Sequence, residues 1–132
     1  MTERVLFVCQ LNMVRSPMAE GLARKKGFDA VSCGLDPGEP DELMTAVMRE
    51  VGIDMTGHEP RSLQSMAGEP FDRVVAFTDD TYAAAQAVLG DDAPIELWSI
   101  PMPVTGSYDV RAIMDTYRSI RTIISNRLDR LS

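Results

Sequence analysis

A three-layer α/β fold, with a four-stranded parallel sheet and helices on both of its faces, is the architecture this sequence predicts. Three observations lead to it. Two short apolar runs, Val5–Val8 and "FDRVVAF", show no polar alternation, the mark of strands covered on both faces. Between such runs lie segments whose apolar residues recur every three or four positions, as on a helix packed by one face. The two kinds alternate as βαβαβαβα, the order of a parallel sheet with crossover helices. The chain of 132 residues is long enough to bury one core, so residues 1–132 are expected to form a single domain.

Each element follows from its own signals. After the first strand, Pro17 suits the first turn of a helix. Met18, Ala19, Leu22 and Ala23 give its stripe, and Arg24, Lys25 and Lys26 complement its C-terminus before Gly27 stops it. Asp29–Cys33 fits a short strand, and "GLDPGEP" a loop. Asp41 can cap a helix with the stripe Met44, Val47, Met48 and Val51, ended by Gly52. "IDMTGHEPRSLQSMAGEP" is irregular with one helical turn, and "FDRVVAF" is a buried strand. Asp79 or Asp80 is the expected cap of an Ala-rich helix ending at Gly90. "IELW" is the fourth strand. Ile113, Tyr117, Ile120, Ile124, Leu128 and Leu131 then mark one long helix over Tyr108–Leu131.

Composition narrows the function classes. Apolar residues make up 45% and charged residues 25%, as in a folded globular protein. A net charge of −7 argues against a nucleic-acid or anionic-membrane binder, each of which needs a basic face, while leaving room for a local anion site. "MTERVLFVC" lacks the basic flank and cleavage site of a signal peptide, and no stretch has the length of a membrane span, so a cytoplasmic protein with reduced thiols is expected. Cys9 and Cys33 form no CxxC pattern. With a single histidine they are too few for a closed zinc site, and no metal or cofactor is called for.

The chemistry concentrates in "VLFVCQLNMVRSPMAEGLARK". Cys9 ends a buried strand of a parallel sheet, where ligands bind. Gln10, Leu11, Asn12, Met13, Val14, Arg15 and Ser16 wrap from it to a helix N-terminus. Inward-pointing backbone amides in such a loop bind a tetrahedral oxyanion, and the helix end adds positive charge. Arg15 supplies a planar fork that grips two oxygens at once. The same field favours Cys9 as a nucleophilic thiolate. Ser16 can hydrogen-bond that sulfur, and Asn12 tolerates the left-handed backbone a tight loop needs. A thiolate facing a bound phosphate can attack phosphorus, giving a cysteinyl-phosphate that water hydrolyses. C-x5-R alone is weak, since a cysteine is often merely buried; the strand before it and the helix-opening proline after it give the pattern its weight.

With these residues in view, the sequence resembles the low-molecular-weight protein tyrosine phosphatase family, whose phosphotyrosine-phosphatase type I-like fold thioredoxin-linked arsenate reductases share. The resemblance runs through "VLFVCQLNMVRSPMAE", "VSCGL", "VMREVGIDMTGHEPRSL", "FDRVVAFTDD" and "DTYRSIRTIISNRL". It implies Cys9 as nucleophile and Arg15 as phosphate clamp, with Asn12, Ser16, Ser32 and His58 holding the loop. It implies as substrate a phosphotyrosine-containing protein or a small aryl phosphate, with phosphate or another tetrahedral oxyanion as ligand. Two positions depart from the family. Leu11 stands where a glycine is usual, and in "IPMPVTG" Met102 stands where the family has the aspartate that protonates the leaving group.

A thioether donates no proton, and losing a positioned general acid costs about 10²–10⁴ in rate. A slow phosphatase is therefore expected, with Asp109 as a possible substitute acid, although a helix cap is the plainer role for Asp109, as for Asp79 and Asp80. Two alternatives stay open: a catalytically impaired phosphate- or phosphoprotein-binding relative, and an arsenate reductase using external thiols. Cys33, near the end of a strand beside the first, is a candidate to approach Cys9 but also an ordinary small buried residue. Trp98, Met102, Val104 and Tyr108 offer an apolar wall for an aromatic ring, or ordinary core packing.

Overall fold

The computed structural model of the protein describes residues 2–100 and 109–131. Four strands, β1 (Arg4–Cys9), β2 (Asp29–Gly34), β3 (Arg73–Ala76) and β4 (Ile95–Leu97), alternate with four helices, α1 (Arg15–Lys25), α2 (Glu42–Arg49), α3 (Asp79–Leu89) and α4 (Val110–Asp129). The strands form one sheet in the order β2-β1-β3-β4, every neighbouring pair parallel. The predicted three-layer α/β architecture is thus the observed one.

β1 lies inside the sheet, and its alternation divides the core in two. Val5, Phe7 and Cys9 point into a cluster built with α1, α2 and α4, while Leu6 and Val8 join Leu63, Met66, Val74 and Ala85 on the other side. Strands covered on both faces read as unbroken apolar runs because neither set of side chains meets water. On the larger side Phe7, Phe77 and Trp98 form an aromatic triad with ring centroids 5.9–6.4 Å apart. On the smaller side α3 and a 3-10 turn, Leu63–Met66, complete the cover.

Several boundaries differ from expectation for identifiable reasons. Thr78, rather than Asp79 or Asp80, caps α3: its hydroxyl accepts from the Thr81 amide while Thr81 Oγ1 accepts from the Thr78 amide. The two aspartates fall in the first turn, where negative charge complements the helix end. Asp41 caps α2 as predicted, accepting from the Met44 amide at 2.9 Å. α4 starts at Val110, with Asp109 as its N-cap. Val51 lies beyond α2, and β3 is shorter than the run that predicted it because Phe77 already turns toward α3. Among the described residues no helix is long and apolar enough to cross a membrane.

Candidate active site

Residues 10–14 connect the end of β1 to the start of α1, and two sets of contacts fix their path. From outside, the chain leaving β2 extends the strand ladder past its end: the amides of Leu35, Asp36 and Gly38 donate to the carbonyls of Cys9, Gln10 and Leu11 at 3.2, 2.9 and 3.0 Å. Gly34 permits this approach. A Cβ there would stand 2.7 Å from the Asn12 nitrogen and 2.8 Å from the Leu11 carbonyl carbon, both backbone atoms. Met13 similarly lies over Gly38.

From inside, Asn12 holds the turn. It adopts φ 55°, the left-handed conformation expected of it, alone among the described non-glycine residues. Its Nδ2 donates to Ser16 Oγ at 2.8 Å and Ser32 Oγ at 2.9 Å, and its Oδ1 accepts from the Arg61 amide at 3.0 Å. Its carbonyl contacts His58 Nε2 at 3.1 Å. A carbonyl only accepts, so Nε2 carries the proton. Ser32 in turn donates to Glu20 at 3.0 Å, and the Glu20 carboxylate lies 3.5 Å from Arg24. All four side chains bonded in this chain, Asn12, Ser16, Ser32 and Glu20, are buried, where an unpaired polar group costs about 1–3 kcal/mol.

On its inner surface the loop leaves groups without protein partners. The amides of Gln10, Leu11, Asn12, Met13 and Val14 donate to no protein acceptor among the described residues, and Val14 gives the first turn of α1 no side-chain cap. Successive loop amides left open in this way, next to a helix N-terminus, are what an anion nest requires. Cys9 Sγ sits 2.9 Å from Ser16 Oγ. Arg15 is only 2% exposed, and its Nη1 donates to the Ile100 carbonyl at 3.0 Å. Burial pulls the Arg15 guanidinium below its ordinary pKa, and the charge of the Cys9 sulfur pulls it back up. Cys9, Leu11, Met13, Val14, Arg15, Asp41 and Tyr117 together line a cleft of about 140 Å3.

This geometry agrees with comparison to known proteins. The family model described as low molecular weight phosphotyrosine protein phosphatase matches residues 4–132. The chain belongs to that family. Among relatives of this phosphatase family member, a glutaredoxin arsenate reductase of Synechocystis sp. is 35% identical over 77 residues, covering 56% of this chain and 59% of that protein. The low molecular weight protein-tyrosine-phosphatase YfkJ of Bacillus subtilis is 32% identical over 98 residues, covering 65% and 63%. The match thus spans less than two thirds of either relative's length. A solved arsenate reductase in the phosphate binding state superposes with a TM-score of 0.78 at 25% identity, over 98% of this chain and 96% of that one.

The family's usual glycine at the position of Leu11 is not needed here for backbone freedom, since Leu11 keeps a negative φ. Cys33 does not approach Cys9 across a shared face. It pairs in register with Val8 and points with it into the smaller core cluster, whereas Cys9 faces the larger. Burial, the nearby Cys9 charge and a weaker opposing effect of Arg61 push the Cys33 thiol up to about 12. Asp109 caps α4, its Oδ1 accepting from the Arg111 amide at 3.0 Å, and does not line the cleft. Trp98 is a core residue, its ring against Phe7, Phe77 and the Arg127 guanidinium. Met102, Val104 and Tyr108 lie outside the described residues.

Sequence reasoning missed four participants. Glu20 had a signal, since it stands one helical turn after Ser16 and shares its face. Gly34, Asp41 and Tyr117 had none as site residues, because distant chain pairings bring them to the loop.

Proposed function

We propose that this chain hydrolyses aryl phosphate monoesters, including phosphotyrosine in proteins, through a cysteinyl-phosphate on Cys9. One observation carries the reading: a thiol paired to Ser16 at 2.9 Å and a buried guanidinium line a single cleft, beside a loop whose amides have no protein acceptor among the described residues. The loop amides and Arg15 bind the three non-bridging phosphoryl oxygens. Cys9 Sγ attacks phosphorus; the S–P bond forms as the P–O bond to the aryl group breaks, and the oxygen leaves with the electron pair. Water then attacks phosphorus, the S–P bond breaks, and the returning thiolate is received by the Ser16 hydroxyl. The amides act throughout as an oxyanion hole. Ser16 accepts from Asn12 and has one proton to give, so it donates to the sulfur when Cys9 is ionised and to the Cys33 carbonyl, 3.3 Å away, when it is not.

Met102 stands at the family's acid position and gives the departing oxygen no proton. Turnover is therefore slow for a phenol of ordinary pKa, about 10, and less impaired for an acidic one. Trapped phosphocysteine during nitrophenyl phosphate turnover, abolished in Cys9→Ser, is the expected result. Met102→Asp accelerates phenyl phosphate by about 10² and nitrophenyl phosphate by less. Phosphate binding without any phosphocysteine would make the chain a binding protein instead.

Likeness to the Synechocystis arsenate reductase supports a second reading, attack of Cys9 on arsenate. Because Cys33 faces away from Cys9, an external thiol must then supply the reducing electrons, and arsenate-dependent consumption of that thiol is the test.

A further inference from the structure

The cleft that holds Cys9 is lined by residues of both charges, Arg15 and Asp41, together with the apolar Leu11, Met13 and Val14. Asp41 is held in place by two donors, the Met44 amide on Oδ1 at 2.9 Å and the Tyr117 hydroxyl on Oδ2 at 2.8 Å. Both bonds fix the orientation of the Asp41 carboxyl group. The Tyr117 phenol, pushed up by burial and then by Asp41, keeps the proton it donates. Each carboxylate oxygen retains a lone pair beyond the one already used. Asp41 forms no ion pair among the described residues, although Arg15 lines the same cleft, and it caps the partly positive N-terminus of α2.

We infer that Asp41 is a specificity-determining residue that favours phosphorylated aryl groups with a cationic side chain close beside them, such as phosphotyrosine next to lysine or arginine. The inference rests on the proposed hydrolysis and names the substrate class of the same site. A phosphoryl dianion held by Arg15 brings its attached ring and chain into a cleft that Asp41 also lines. An acidic neighbour there meets like charge, and a basic one meets an available acceptor. The net charge of −7 acts in the same direction over longer range, and salt screens it more completely than a contact inside the cleft.

Two phosphotyrosine peptides identical except for lysine or glutamate beside the phosphotyrosine give the test, since their leaving groups are the same. Wild type is expected to favour the lysine peptide by about threefold to tenfold in kcat/KM at physiological salt, the size of one partly screened charge pair. Asp41→Asn keeps an oxygen for the Met44 amide while removing the charge, and it reduces the ratio by more than half. Tyr117→Phe keeps the charge and most of the ratio. Equal rates on both peptides in wild type, or an unchanged ratio in Asp41→Asn, overturn the inference and leave hydrolysis standing. Affinities of the same peptides for Cys9→Ser separate the two claims: a lysine preference in binding with no turnover in wild type sustains Asp41 selection and defeats hydrolysis. Absence of both binding and turnover defeats both.

Discussion

Cys9 and Cys33 lie at the ends of neighbouring strands, one register step apart, yet they occupy different chemical worlds. Cys9 projects from its strand end into a loop of amides and meets a serine hydroxyl and an arginine. Cys33 points through the other face of the sheet into Leu6, Val8, Leu63 and Met66. Both are buried, so burial does not decide reactivity. The pleat does: adjacent strands in register send alternate residues to opposite faces, and on the face of Cys9 the chain runs straight into the loop that leads to Arg15 and Ser16.

The widest contrast is in activity. Cys9→Ser is expected to lower turnover of nitrophenyl phosphate by about 10⁴ or more, as when any covalent nucleophile is removed. Cys33→Ala is expected to leave turnover within about twofold while costing about 1 kcal/mol in urea unfolding, a small cavity's worth. If Cys33→Ala lost activity comparably, the separation of faces would not hold. Gly34→Ala sharpens the comparison from the position after Cys33 on β2, which pairs with Cys9. Its Cβ presses on loop backbone that cannot yield as a side-chain tip would, so activity is expected to fall by about 10²-fold with about 1–3 kcal/mol of lost stability.

Chemical labelling probes the same contrast. In native protein at pH 8, iodoacetamide is expected to modify Cys9 and spare Cys33. The folded value of about 12 lies above the unfolded one near 9.0, so the Cys33 thiol stays neutral until the protein unfolds or pH nears that value. Mass spectrometry after digestion reads both sites. The smallest effect lies far from either cysteine. Arg118 and Arg121 hydrogen-bond Glu50 at the end of α2 and hold its carboxyl down at about 2. A depressed carboxyl stabilises the fold above its unfolded value of 4.5 and loses that contribution as pH falls toward 2. Glu50→Gln should therefore flatten the dependence of melting temperature on pH across that window, by little, because the pair is solvated.

The strands, the helices and the path of the loop after β1 were legible because local signals carried them: unbroken apolar runs, the Ser-Pro step, and Asn12 where the chain turns left-handed. The N-caps of α2 and α3 were legible to within a residue, whereas α2 stops at Arg49, short of the expected Gly52. At α3 the threonine pair outcompeted the aspartates, since reciprocal bonds satisfy two groups where one carboxylate satisfies one. What the sequence hid was contact between distant segments. Asp41 and Tyr117 are 76 positions apart and look like an ordinary cap and an ordinary core residue. Only the crossing of α2 and α4 near the loop gives them a place in the cleft. Gly34 looked like a strand end, and Cys33 like a neighbour of Cys9, because pairing alone does not say which face a side chain takes.

Asn12 answers three segments of the chain at once: α1 through Ser16, β2 through Ser32, and the segment before the 3-10 turn through His58 and Arg61. Organising the loop is thereby charged to folding rather than to encounter with an anion. A loop held this way from three sides has little conformational freedom left to lose to any ligand, so the entropy of ordering it is met in folding.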